Sequence, residues 1–170
     1  MRYSRILFLL VLLVAVAAIA WYFSSHRAAV AGITVYYTKV DGAEIPWTIS
    51  VRPPNAKESA ADYSQYLVLY AASQAVAGPP QSVAAIRFPV GTHVLSAGVD
   101  GTTATVDLSA DVNSRSGGAL NESGEFKSLV WTLTSLPGVD RVAVRVAGNK
   151  VATLPGGNFE LDEPLRRSDW

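Results

Sequence analysis

Along the chain, hydrophobic and polar positions change period several times, and each change marks an element. Ile6, Leu7, Phe8, Leu9, Leu10, Val11, Leu12, Leu13 and Val14 open an apolar run. Ala15, Val16, Ala17, Ala18, Ile19, Ala20, Trp21, Tyr22 and Phe23 complete it, without a charge or a proline. A run of about 18 residues makes a helix of roughly 27 Å, close to the roughly 30 Å of a hydrocarbon core. Arg2 and Arg5 precede it and Trp21-Tyr22 close it, which fits a span with its basic end in the cytoplasm and aromatic rings at headgroup level. The same basic start, apolar stretch and Ala18-Ile19-Ala20 also describe a secretory leader cleaved after Ala20. Both readings stay open, and both place the rest of the chain outside the cytoplasm.

Beyond a linker of small and polar residues (25–32), β-branched and aromatic residues at Ile33 to Thr38 predict a strand, and Trp47 to Arg52 a second, stopped by Pro53-Pro54. From Ala60 to Ala77 the period becomes helical, with Tyr63, Tyr66, Leu67, Tyr70, Ala71 and Gln74 on one face and Gly78-Pro79-Pro80 as the stop. His93–Val99 and Thr102–Leu108 alternate on either side of Asp100-Gly101, the signature of a tight hairpin. Leu95, Ala97 and Val99 are expected to share a face with Ala104, Val106 and Leu108. A second helix is predicted from Glu122 to Leu136, with Phe126, Leu129, Val130, Leu133 and Leu136 as its stripe. Arg141 to Ala147 alternates again, turning Val142, Val144 and Val146 inward, and 151–170 reads as an irregular tail.

This order predicts an α+β fold: a two-layer sandwich of a mainly antiparallel sheet with two helices on one face, of the split βαβ kind. The organisation expected is a membrane segment (1–24), a linker (25–32), one domain (33–150) and the tail. The chain has no cysteine, which excludes disulfides, thiolate metal sites, cysteine nucleophiles and a lipidated N-terminal cysteine. Three of its 14 basic residues and none of its 14 acidic residues fall in the first thirty positions, so the remainder is mildly negative. That balance argues against nucleic acid as a partner.

The chain resembles the GerMN domain, a family named after a sporulation and spore-germination protein. The residues that carry the likeness are Val35-Tyr36-Tyr37, Gly78-Pro79, Pro89-Val90-Gly91-Thr92 with Val94-Leu95, and Val106-Asp107-Leu108-Ser109. Gly117-Gly118 and Leu129 to Val139 continue the series, which runs from Ile33 to Lys150. The resemblance implies a membrane-tethered, extracytoplasmic, non-enzymatic module that packs side by side with envelope proteins or with copies of itself, similar to ring-building domains. It brings no catalytic residue and no cofactor. Lipid-anchored members carry a cysteine, and the apolar run stands in its place here.

Candidate chemistry is sparse. Asp107 and Asp111 form the one pair of carboxylates suited to acid–base or cation work; at a strand end such groups more often accept backbone hydrogen bonds. With exposed aromatics they define the alternative reading, a protein that binds or acts on cell-wall glycan. His93 has no second histidine or cysteine within the domain to complete a metal site. Gly117-Gly118 lacks the phosphate-cradling patterns, and Asn121-Glu122-Ser123 fits the glycosylation triplet. Trp47, Trp131 and Trp170, with Tyr63, Tyr66 and Tyr70, are read as core-border packing or as an exposed patch for a partner or glycan. The expectation is a protein without catalytic, cofactor or metal residues.

Overall fold

A computed structural model of the protein describes residues 32–114, 118–155, 157 and 159–170, together with Val16. The apolar run Ile6–Phe23, Val16 excepted, lies outside the described residues; among them no helix is long and apolar enough to cross a membrane. The strands are β1 (Gly32–Thr38), β2 (Glu44–Ser50), β3 (Val94–Asp100), β4 (Thr103–Leu108), β5 (Arg141–Val146) and β6 (Asn149–Lys150). Helix α1 (Ala60–Ala77) follows β2, and α2 (Gly118–Leu133) lies between β4 and β5.

The α+β class holds, but the single sheet does not. The strands divide into a two-stranded ribbon, β1-β2, and a four-stranded sheet in the order β3-β4-β5-β6. All pairs are antiparallel except β4 with β5, where Thr103 faces Arg141 and Leu108 faces Val146 in parallel. A parallel pair needs a long crossover, and α2 supplies it. The helices pack on each other, α1 against β3 and β1, α2 against β1 and β5. They therefore join two sheets instead of covering one face of a single sheet.

The reason the ribbon stops at β1 lies in α2. The Tyr36 N–H donates to Thr132 Oγ1 at 2.9 Å and the Thr38 N–H to Ser128 Oγ at 3.0 Å. The Thr132 hydroxyl in turn donates to the Tyr36 carbonyl at 3.4 Å, and Ser135 Oγ donates to the Thr34 carbonyl at 3.1 Å. Four residues of helix rise about 6 Å and two residues of strand about 6.7 Å, so hydroxyls one turn apart meet alternate strand residues. A row of side-chain oxygens thus replaces a neighbouring strand along β1.

Because the even-numbered residues of β1 bond to α2, the same alternation leaves Glu44, Pro46, Thr48 and Ser50 with their backbone groups aimed away from β1. The Tyr36–Pro46 pairing puts proline at an outward position, where its missing N–H disturbs no ladder bond. That explains why β2 starts at Glu44 and runs through Pro46, earlier than the Trp47 start that the sequence suggests.

Helix α1 has the predicted limits. Ser59 Oγ accepts the Asp62 N–H at 3.1 Å and donates to Asp62 Oδ2 at 2.7 Å, and Gly78, at φ 77°, closes the other end. Its buried face differs from the expected one: Val68, Ala71, Ala72, Ala75 and Val76 are buried, while Tyr63, Tyr66 and Tyr70 are half-buried. Small alanines let the helix approach its neighbours, and the bulky rings are displaced to the margin.

The β3–β4 hairpin forms with Asp100 opposite Thr103, so its two-residue turn is Gly101-Thr102, one position past the expected one. Gly101 takes φ 56° there, which a side chain tolerates poorly. A bulge between Val94 and Ser96 breaks the alternation. Val94, not Leu95, faces Leu108, and Leu95 is 49% exposed.

Helix α2 begins at Gly118, before the expected Glu122, and its predicted stripe of Phe126, Leu129, Val130, Leu133 and the following Leu136 is buried. After Lys150 the described residues include a short 3₁₀ turn, Arg167–Asp169, and they belong to the core: Leu154, Leu161 and Leu165 are buried and Leu165 bridges to Val142 of β5. Residues 86–88 form no strand, although the Ile86 N–H donates to the Thr38 carbonyl at 2.8 Å.

Candidate functional site

Each of the two aspartates has a partner of its own. Asp107 Oδ1 accepts the Gly148 N–H at 2.9 Å, steadying the β5–β6 turn, where Ala147 (φ 48°) and Gly148 (φ 80°) are both left-handed. Asp111 Oδ2 accepts the Ser109 hydroxyl at 2.9 Å. His93 lies beside this serine, but its Nδ1 meets the Gly91 carbonyl at 2.9 Å and only its main-chain N–H reaches Ser109 Oγ, at 3.2 Å. The Ser109 proton therefore goes to a carboxylate, and the imidazole is not placed as its base. Among the described residues, no group of three or more His, Asp or Glu side chains could hold a metal ion.

Gly117 lies outside the described residues, and Gly118 opens α2 at φ 68°. In the glycosylation triplet Glu122 is fully buried, and Ser123 Oγ accepts the Trp170 indole N–H at 2.9 Å. Glu125, one turn on, is buried as well.

Two clusters of aromatic and cationic side chains stand out. In the first, Tyr63 and Tyr66 stack with centroids 5.8 Å apart at 26°, and Tyr66 and Tyr70 at 5.8 Å and 14°. The Arg52 guanidinium sits 4.0 Å from the Tyr66 centroid and grips Glu58 with two bonds, of 2.6 and 2.8 Å. Tyr63 donates its hydroxyl proton to the Arg52 carbonyl at 2.7 Å. Those Arg52 bonds, with a further one from the Asn55 N–H, lower the Glu58 carboxyl to about 2. One face of Tyr63 is turned on Tyr66, and Arg52 lies over Tyr66.

In the second, Tyr36 and Trp131 meet edge to face at 5.8 Å, and Arg167 lies 4.9 Å from the Trp131 centroid. Lys127 lies 5.4 Å from the same ring and 3.3 Å from Glu44. Trp170 stacks on Phe159 at 5.3 Å, and Phe159 on Phe126 at 5.9 Å. Trp131 and Trp170 are thus packing residues at the core border. Trp47, 40% exposed, is the tryptophan that faces solvent among the described residues.

A groove of about 540 Å³ opens between the first turns of α1, Val99 in β3 and the turn after α2. Tyr63, Leu67, Val68, Leu136 and Val139 form its apolar wall. No local pattern points to it, because its walls come from well-separated segments, each of which reads as ordinary core or turn.

Comparison with known proteins bears on the same body. A family model described as "Sporulation and spore germination" (Germane) matches residues 34–152. No curated protein matches. Among solved structures, the tandem GerMN domains of the sporulation protein GerM from Bacillus subtilis are similar at 21% identity and a TM-score of 0.59. That likeness covers 83% of this chain and 48% of the tandem protein, so this chain spans about half its length. The first GerMN domain of GerM alone gives 21% identity and a TM-score of 0.58, covering 82% of this chain and 99% of that one. A Clostridium perfringens protein named as a lipoprotein gives 23% and 0.57, covering 82% and 89%. At these identities the solved structures establish the fold alone. With the family model matched across residues 34–152, the chain belongs to the sporulation and spore germination family, and its folded body is a GerMN domain.

Proposed function

We propose that this chain is a non-catalytic assembly module of the bacterial cell envelope, held at the outer face of the cytoplasmic membrane by Ile6–Phe23. The observation that carries the proposal is the shared fold with a domain of a sporulation protein and with a protein named as a lipoprotein. A lipoprotein is tethered through a cysteine; this chain has none and has an apolar run instead. The two aspartates bind backbone and neighbouring hydroxyl groups, which favours assembly over acid–base chemistry.

The surface assigned to partners is the outer edge of β2, where Thr48 and Ser50 keep outward backbone groups and Trp47 supplies an exposed ring. Partners are envelope proteins, further copies of this chain among them. A photo-crosslinking residue at position 48 of the full chain, activated in intact cells, tests this. Adducts to envelope proteins or to a second copy are expected; a monomer without adducts refutes it. Resistance of the chain to alkaline extraction from membranes, and the N-terminal residue of the mature protein, decide between retained anchor and cleaved leader.

A further inference from the structure

In the groove beside α1, the β-edge residue and the charged residue of the lining already have partners. Val99 is its β-edge residue, and Gln65 holds both of that residue's outward backbone groups. Gln65 Nε2 donates to the Val99 carbonyl at 3.1 Å, and the Val99 N–H donates to Gln65 Oε1 at 3.1 Å. A peptide laid along this edge would find no backbone partner at Val99. Glu58, the charged residue of the lining, is bound on both oxygens by Arg52. At the start of α1, Ser59 already takes the Asp62 N–H. What remains available is hydrocarbon surface: the Tyr63 ring, Leu67, Leu136 and Val139, with Ser64 at the side.

The groove also has a definite place in the domain. Gly32, the first residue of β1, pairs with Ser50, close in sequence to Pro54 of the lining. The Thr34 carbonyl accepts the hydroxyl of Ser135, next to Leu136 of the lining. The groove therefore lies at the end of the domain where β1 begins.

We infer that the groove binds one hydrocarbon chain of a membrane lipid, of the fatty-acyl class. The volume lies within the range of small-molecule sites and the wall is mainly apolar, as such sites are. Burial of a chain there is driven by removal of hydrocarbon from water, with no charge left uncompensated. The lipid source rests on the membrane attachment proposed above; the chemistry of the groove does not.

The test uses the full chain in phosphatidylcholine vesicles containing palmitic acid that carries a photoactivatable diazirine. Illumination followed by peptide mapping should place adducts on peptides bearing Tyr63–Val68 and Leu136–Val139. Excess unlabelled palmitate, and separately Ser64→Trp, which fills the side of the groove, should each reduce that labelling at least tenfold. Far-ultraviolet circular dichroism of the variant checks its fold, and the palmitate competition stands whether or not the variant folds. Labelling of the groove that neither competitor nor variant changes overturns the inference, as does labelling confined to other surfaces or a groove that holds a co-purified peptide. Flotation of the vesicles reads membrane attachment separately. A chain that fails to float, yet is labelled in the groove by free fatty acid, refutes the anchor and keeps the site.

Discussion

Replacing Thr132 by valine tests the claim that hydroxyls of α2 stand in for a missing strand. Valine has almost the same shape, so packing at this fully buried position is kept and the oxygen alone is lost. The Tyr36 N–H then has no acceptor in place of the bond at 2.9 Å, and the Tyr36 carbonyl loses its weaker contact at 3.4 Å. Leaving a buried donor unsatisfied costs about 1–3 kcal/mol, and the added apolar methyl offsets part of that, for a net loss of about 1–2 kcal/mol. Ser128→Ala strands the Thr38 N–H and one bond of the Thr38 hydroxyl, whose other bond, to Glu44, survives. Its expected loss is about 1–3 kcal/mol. In a domain of this size each kcal/mol lowers Tm by about 3–5 °C. Urea and thermal unfolding followed by circular dichroism measure both variants, and amide exchange at Tyr36 and Thr38 localises the effect. Ser73→Ala, which removes only a solvent-side bond to the Leu69 carbonyl, serves as reference and should stay within about 0.5 kcal/mol. If Thr132→Val and Ser128→Ala match that reference and both amides keep their protection, the hydroxyl row is incidental and the reasoning fails.

Glu58→Gln should lower stability at neutral pH and lose its effect in acid. The carboxyl sits at about 2 in the folded state against an ordinary 4.5, so its contribution is full above that ordinary value and vanishes as pH falls to about 2. Tm of both proteins across pH 2–7 checks this, and a difference that grows in acid would contradict it. Gly124→Ala adds a Cβ against Ile86 Cδ1 inside a buried part of α2 and should cost about 1–3 kcal/mol despite the better helix former; Ile86→Val in the same chain should recover part of the loss in urea melts. Pro46→Thr gives β2 an outward N–H in mid-edge and should raise self-association, read by light scattering against concentration. Unchanged scattering would show that the proline does not guard this edge.

What was legible in the sequence was local. The hairpin, α1 and β5 were readable because turn residues, caps and alternation sit within a few positions of one another. The division into two sheets was not, because it depends on Ser128 and Thr132 meeting Thr38 and Tyr36 across the chain, and a buried hydroxyl looks like any polar residue. The α1 face was misread because periodicity weights Tyr63, Tyr66 and Tyr70 above Ala71, Ala72 and Ala75, whereas close helix packing favours the small side chains. Leu95 turned outward because a bulge leaves no mark in an alternating pattern. In the candidate site, the lone His93 and the backbone-bonded Asp107 matched their plainer readings; the groove stayed hidden because nothing local records that Leu67, Val99 and Leu136 converge.

The way residues 151–170 fasten the domain has a consequence for its biogenesis. Leu165 extends the β5 edge, Arg167 reaches the Trp131 carbonyl at 2.7 Å, and Trp170 anchors on Ser123. Synthesis proceeds from the other end, so α2 and the parallel β4–β5 pair emerge from the ribosome before the clasp that covers them. The clasp over α2 and β5 therefore closes only after Trp170 has left the ribosome, and the body forms before the side chains that fasten it.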